Sequence, residues 1–373
     1  MHSKLMRFNV LNLQNNICSM ISSKITGTGT FIPSVVMQNT DFLQHEFLNN
    51  DGSAFDAENT EIIKKFKAIT GIEARRYAID EYTTSDLAFF ASQKAIEDAK
   101  INQEQLDYII FAHNFGDVKK GAIQGDTLPS LATRVKYRLG IENPNCVAYD
   151  ILFGCPGWVE GVIQAQAFIK AGIAKRCLVI GAETLSRVVD IYDRDSMIYS
   201  DGAGACIVEK TDEQDSGILS HASQTFAKDQ AYFLHYGGSF KKEADQDVRY
   251  IKMFGRKIYE FAITNVPKAM KVALDKSKIE IDEVKKIFIH QANEKMDEAI
   301  IKRFYRLFRK PVPVGVMPMS IHKLGNSSVA TVPTLLDLVL KGKIENQKVN
   351  KGDVIMLASV GAGMNVNAIV YRY

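Results

Sequence analysis

The feature that most constrains this chain is a unit that occurs twice: an amphipathic helical segment, a short turn and a strand-sized apolar run. In the first copy, Leu87, Phe90, Ala91, Ala95 and Ile96 fall on one side of residues 85–99 at helical spacing. Ile101, Leu106 and Asp107 follow, and then the β-rich run from Tyr108 to Asn114. The second copy has a helical segment over 260–275, then Ile279 and Val284, then a run from Lys286 to Asn293. Each helical segment carries a Lys-Ala pair, Lys94-Ala95 and Lys268-Ala269. Helices alternating with strands predict an α/β fold. The repeat predicts internal duplication, with the halves meeting near residues 210–220, where Glu209 to Ser216 is polar and charged. The expected division is an N-terminal extension over 1–22, one half over 23–212 and a second over 213–373. Residues 117–126 and 237–247 read as loops.

Composition excludes several classes. Lys and Arg number 46 against 43 Asp and Glu, a net charge of +3, which gives no electrostatic footprint for nucleic acid. The longest apolar runs fall far short of the ~20 residues a membrane-spanning helix needs, so no membrane partner is expected. Five cysteines without a CxxC pair argue against a disulfide framework and a zinc ribbon. Asn9, Asn12, Gln14, Asn15 and Asn16 interrupt any apolar core of a leader. A reducing cytoplasm is the expected location.

The segment from Val147 to Trp158 holds the first chemical signal. A short β-rich run ends at Gly154, and an amphipathic helix is expected from about Pro156 to Ala171, closed by Gly172. Proline suits the first helical position, where an N–H would be unpaired anyway. Cys155 then stands at a helix N-terminus, where the dipole and free N–H groups favour a thiolate and can receive an oxyanion. The plainer reading is a small buried hydrophobe, and Cys146, Cys177 and Cys206 keep that reading. His290 ends a strand-like run at a loop, where α/β proteins place functional groups. His322 competes with it, four residues before Asn326 in a Gly-Asn-Ser turn.

Gly-Cys-Pro-Gly-Trp at 154–158, Ser200-Asp201-Gly202-Ala203-Gly204-Ala205, His290-Gln291-Ala292-Asn293 and Gly325-Asn326-Ser327-Ser328 come in one order. Together they resemble the ketoacyl-acyl-carrier-protein synthase III group of the thiolase-fold condensing enzymes. The likeness runs from Lys24 to the glycine turn at Gly361-Ala362-Gly363 and on to the C-terminus. It implies a five-layered αβαβα fold of two related halves, a homodimer, and a catalytic triad of Cys155, His290 and Asn326. The backbone N–H groups of Cys155 and Ala362 are implied as the oxyanion hole, with Leu128, Arg194 and Gly255 among the substrate-binding residues. The implied reaction moves an acyl group to Cys155 and condenses it with a malonyl thioester, giving a 3-oxoacyl thioester. It uses acyl carrier protein or coenzyme A thioesters and no metal or redox cofactor. The Ser200 to Ala205 segment is read as a turn with structural duty near the dimer interface, and Ala205 to Val208 as an apolar strand beside it.

The chain departs from the group in places. Thr70-Gly71-Ile72 is present, but Lys65 and Ile69 stand where an aromatic residue and an arginine clamp the adenine of coenzyme A. Arg194 matches a second element of that clamp. The loop before Thr127-Leu128-Pro129-Ser130 is long, and Leu128 stands where a phenylalanine often floors the partner subunit's acyl pocket. A specialised ketosynthase or acyltransferase of alkylresorcinol, aryl polyene or quinolone type is the alternative, and a non-catalytic partner subunit is the reading from another class. Lys302, Arg303, Arg306, Arg309 and Lys310 have no acidic residue among them. They are either a solvated helix end that complements the dipole or a docking patch for an acidic carrier protein, with Arg303 and Arg306 at its centre.

Overall fold

The computed structural model describes residues 22–213 and 215–373. The extension expected over 1–22 therefore lies outside the described residues, apart from Ser22, which opens the first strand. The first half runs β1 (Ser22–Phe31), β2 (Val35–Gln38), α1 (Asn59–Thr70), β3 (Ala74–Tyr77), α2 (Thr84–Ala99), β4 (Tyr108–Ala112), α3 (Leu131–Arg138), β5 (Val147–Ile151), α4 (Gly157–Lys170), β6 (Arg176–Thr184) and β7 (Asp201–Thr211). The second runs β8 (Gly217–Thr225), β9 (Leu234–Gly237), β10 (Tyr250–Met253), α5 (Gly255–Ser277), β11 (Val284–Ile289) and α6 (Glu294–Arg306). It closes with the one-turn α7 (Ile321–Leu324), α8 (Thr331–Leu340), β12 (Val354–Gly361) and β13 (Asn365–Arg372). The change from one half to the other falls between β7 and β8.

Sheet topology carries the duplication. One sheet has the order β1-β7-β6-β4-β5 and the other, taken from its far edge, β8-β13-β12-β11. In the first, β1/β7 and β7/β6 are antiparallel and β6/β4 parallel. In the second, β8/β13 and β13/β12 are antiparallel and β12/β11 parallel. The same four-strand pattern therefore occurs twice, and β5 is an extra parallel strand on the edge of the first sheet.

Side-chain alternation places the layers. In β6, Cys177 and Val179 face a cluster between the sheets, whereas Leu178, Ile180 and Ala182 face the opposite side. Trp158 and Val162 of α4 and Leu335 and Val339 of α8 fill the space between the sheets, against Leu357 and Ile369. The outer face of the first sheet is covered by α2 and α3 through Leu87, Ala91 and Val135. That of the second is covered by α5 and α6 through Val266, Met270, Ile300 and Phe304. The result is helix, sheet, helix, sheet, helix. Burial on both faces is why the strands read as nearly continuous apolar runs.

One expectation is corrected. Residues 201–205 are not a turn but the start of β7, hydrogen-bonded between β1 and β6. A Cβ on Gly204 would come within 2.7 Å of Pro333 in α8, so this glycine serves close layer packing. Ala205 to Val208 are fully buried there and offer nothing to a partner subunit. Among the described residues, no helix is long and apolar enough to cross a membrane.

Candidate active site

Cys155 sits between β5 and the first turn of α4, as the sequence predicts. The preceding Gly154 has φ +65°, and a Cβ on it would meet the Ala362 nitrogen at 2.6 Å. Across the contact, a Cβ on Gly361 would meet the Cys155 nitrogen at 2.4 Å. Two glycines thus let the Cys155 turn and the turn after β12 lie against each other, which brings the Ala362 backbone to the Cys155 loop. Asn365 fastens the contact by donating to Phe153 O at 3.2 Å and to Ala362 O at 2.9 Å.

His290 leaves β11 with its backbone N–H bonded to Ala358 O of β12 at 2.9 Å. The buried Gln291 side chain donates to Pro318 O and accepts from Ser320 N and Ile321 N. It thereby pins the segment that leads through α7 to Asn326. Asn326 is held by its own backbone, with its N–H on Ile198 O at 3.0 Å and its carbonyl accepting from Ser200 N at 2.8 Å. Its Oδ1 accepts from Ser328 N at 2.8 Å, which commits the acceptor oxygen.

Burial sets the electrostatics. It pushes the Cys155 thiol up to about 11, with the Ser328 hydroxyl bonded to sulfur acting the other way. Burial thus opposes the thiolate that the helix terminus favours. Burial also pushes His290 down to about 4, with the Ser328 backbone acting in the opposite sense. The imidazole is neutral in ordinary buffers, and its Nδ1 has no partner among the described residues. Because the folded value lies below the unfolded 6.5, the unfolded chain binds the extra proton. This contribution to stability is complete above 6.5 and is lost as pH falls toward about 4, on the order of 3 kcal/mol. Thermal unfolding midpoints across this window should fall more steeply for the parent than for His290→Gln.

Cys155, His290 and Asn326 line one cavity of about 690 Å³, with Arg194, Gly255, Lys65 and Ile69 also in its wall. The Arg194 guanidinium lies over the Phe55 ring, 5.0 Å from its centroid, and Phe55 lines the same cavity. An aromatic–guanidinium pair is thus present in the cavity wall, with its aromatic member from the loop before α1 rather than from α1 itself. Leu128 does not line this cavity and is 87% exposed. His322 pairs with Glu294 at 2.8 Å and also lies outside the cavity. Arg303 and Arg306 end α6; Arg303 donates to Ile263 O of α5, and Lys310 pairs with Asp282. Lys302, Arg306, Arg309 and Lys310 share a separate cleft with Pro311 and Val312.

Residues 149–226 match the family described as 3-oxoacyl-[acyl-carrier-protein (ACP)] synthase III, and residues 274–373 match its C-terminal counterpart. The two segments hold Cys155 in one and His290 and Asn326 in the other. The chain is 32% identical to beta-ketoacyl-[acyl-carrier-protein] synthase III of Fusobacterium nucleatum, over 95% of this chain and 99% of that one. It is 30% identical to synthase III 1 of Halalkalibacterium halodurans, over 95% and 99%. The crystal structure of 3-oxoacyl-[acyl-carrier-protein] synthase III from Aquifex aeolicus superposes with a TM-score of 0.77 at 30% identity, covering 94% of this chain and all of the other. With this topology, these motifs and this near-complete coverage, the chain belongs to the 3-oxoacyl-[acyl-carrier-protein] synthase III family of thiolase-fold enzymes.

Proposed function

We propose that this chain is a condensing acyltransferase that joins an acyl group to the two-carbon unit of a malonyl thioester, in fatty acid or related synthesis. The observation that carries the reading is the single cavity shared by a cysteine at a helix start and two side chains able to donate N–H groups, His290 and Asn326. Cys155 sulfur attacks the donor thioester, a new C–S bond replaces the old one, and the donor thiol departs. The backbone N–H groups of Cys155 and Ala362 stabilise the oxyanion. A malonyl thioester then enters, and His290 and Asn326 donate to its thioester carbonyl while carbon dioxide leaves. The enolate attacks the acyl carbonyl, the Cys155–acyl bond breaks, and a 3-oxoacyl thioester is released. Thioester exchange and decarboxylation need no electron acceptor, so no redox cofactor enters the scheme. Mixing acyl and malonyl thioesters should yield carbon dioxide and 3-oxoacyl product in equal amounts. Cys155→Ala should abolish product while still decarboxylating malonyl thioester; product formed by that variant would overturn the reading.

The reading includes a homodimer in the cytoplasm. Support comes from the edge strand β5 and from exposed apolar side chains in the segments before and after it along the chain: Leu128 at 87% exposed, Tyr137 at 85%, Ile123 at 76% and Leu152 at 69%. Large exposed apolar side chains of this kind suit an interaction surface, and a second copy would place Leu128 at its partner's acyl pocket. Light scattering should give twice the chain mass, and Leu128→Asp should lower that mass. A monomeric parent would remove Leu128 from the substrate site.

The acyl donor is read as a carrier protein. Lys65 and Ile69 supply no stacking face on α1, whereas an acidic carrier can meet the basic end of α6. The Phe55–Arg194 pair leaves coenzyme A one platform, so the expected preference for the carrier is modest, about tenfold in kcat/KM. Reversing Arg306 and Lys302 should erase it through slower association, while Arg303 reversal also breaks its bond to α5. Equal kcat/KM for both donors, unchanged by reversal, would remove the docking assignment.

A further inference from the structure

Three polar side chains behind the nucleophile take no part in the reaction set out above. Ser328 Oγ donates to Cys155 Sγ at 3.4 Å. Asn114 Nδ2 donates to Ser328 Oγ at 3.3 Å and to Glu183 Oε1 at 2.6 Å. Glu183 lies near the end of β6 with no exposure, and its Oε2 has no partner among the described residues. Burial pushes its carboxyl up to about 8, with the Asn114 bond acting the other way. Ser328 also has φ +52°, a left-handed backbone uncommon for a residue with a side chain. Outliers of this kind gather where geometry serves function.

The hydrogen bonds in this chain have a direction. A serine hydroxyl has one proton to give. With an Asn114 N–H directed at its oxygen, that proton turns to the remaining acceptor in reach, the Cys155 sulfur. Asn114 is held amide-first by Glu183 Oε1, which accepts. Glu183 thus sets the Asn114 amide, Asn114 sets the Ser328 hydroxyl, and the hydroxyl meets the sulfur.

We infer that Ser328 is a further catalytic residue of the acyl-transfer half-reaction, donating to the Cys155 sulfur as it gains negative charge, and that Asn114 and Glu183 are its positioning residues. The Cys155 side chain is half-buried at the cavity wall and its thiol is held high, so a donor aimed at it matters most in the step that creates the charge. No proton passes along the chain: the Cys155 proton ends on the departing thiol, and Ser328 keeps its own. The inference rests on Cys155 being the acyl carrier.

The test is alkylation of Cys155 by iodoacetamide at fixed pH, read by peptide mapping beside acylation by an acyl thioester. A hydrogen bond to a charged acceptor corresponds to about tenfold to a hundredfold. Ser328→Ala and Ser328→Gly should both slow alkylation and acylation by that factor, and the glycine variant, which tolerates positive φ, separates the hydroxyl from backbone strain. Asn114→Asp replaces the donor by an acceptor and should slow both equally. Glu183→Leu should also slow them, and Glu183→Gln, which keeps an acceptor oxygen, should recover most of the loss. Malonyl decarboxylation in a Cys155→Ala background should fall far less than alkylation. Parental alkylation rates in both Ser328 variants would overturn the inference, and so would an equal loss of decarboxylation, which would make the effect structural. A parent that takes no acyl group on Cys155 would instead overturn the proposed function, so the two failures are distinguishable.

Discussion

Replacing His290 by Ala is expected to slow malonyl decarboxylation by about 10²–10³, the usual cost of one lost donor to a developing oxyanion, with far less effect on acylation of Cys155. The expectation follows from a neutral, buried imidazole, which can present an N–H without first being protonated. Asn326→Asp is the sharper partner variant. It keeps the oxygen that accepts from Ser328 N and so preserves the local turn, but it has no N–H to offer a carbonyl. Stopped reactions that follow carbon dioxide release and acyl-enzyme separately would read both steps. Condensation at the parental rate in either variant, with saturating malonyl thioester, would remove that residue from the enolate site.

Asp297→Leu is expected to raise stability at neutral pH by about 1–3 kcal/mol, the cost of a buried polar group without partners. Asp297 lies in α6 with no exposure, and neither carboxyl oxygen has a partner among the described residues. Burial, with Glu294 and Glu298 nearby, raises its pKa well above the ordinary 3.8. The folded state therefore holds a proton that the unfolded state releases above 3.8, and this residue's contribution to stability falls as pH rises. The gap in unfolding midpoint between variant and parent should widen from acid to neutral pH. A destabilised variant, or a gap independent of pH, would mean that Asp297 has a partner in the folded protein.

Much of this molecule is legible in its sequence. The two helix-turn-strand units correspond to α2 with β4 and α5 with β11, because burial on both faces leaves continuous apolar runs that a periodicity reading detects. Cys155 is legible because a glycine, a cysteine and a proline at a strand-to-helix junction leave few geometries open. The segment after Ser200 misleads: its glycines look like turn formers, yet Gly204 serves contact with Pro333, 129 residues further along the chain. Phe55 is unreadable as a cavity residue, since nothing local to it says that Arg194 will lie over its ring. Asn114 and Glu183 are likewise joined only by the neighbouring parallel strands β4 and β6. Ser328 belongs to a legible motif, but the direction of its hydroxyl depends on both of those residues.

The most direct measurement is peptide mapping of the protein after brief exposure to an acyl thioester, with intact mass taken first. One acyl group per chain is expected, on the peptide that contains Cys155, labile to hydroxylamine and discharged when malonyl thioester is added. An acyl group on Cys146, Cys177 or Cys206, or one on Cys155 that malonyl thioester leaves in place, would contradict Cys155 as the carrier of the condensing acyl group.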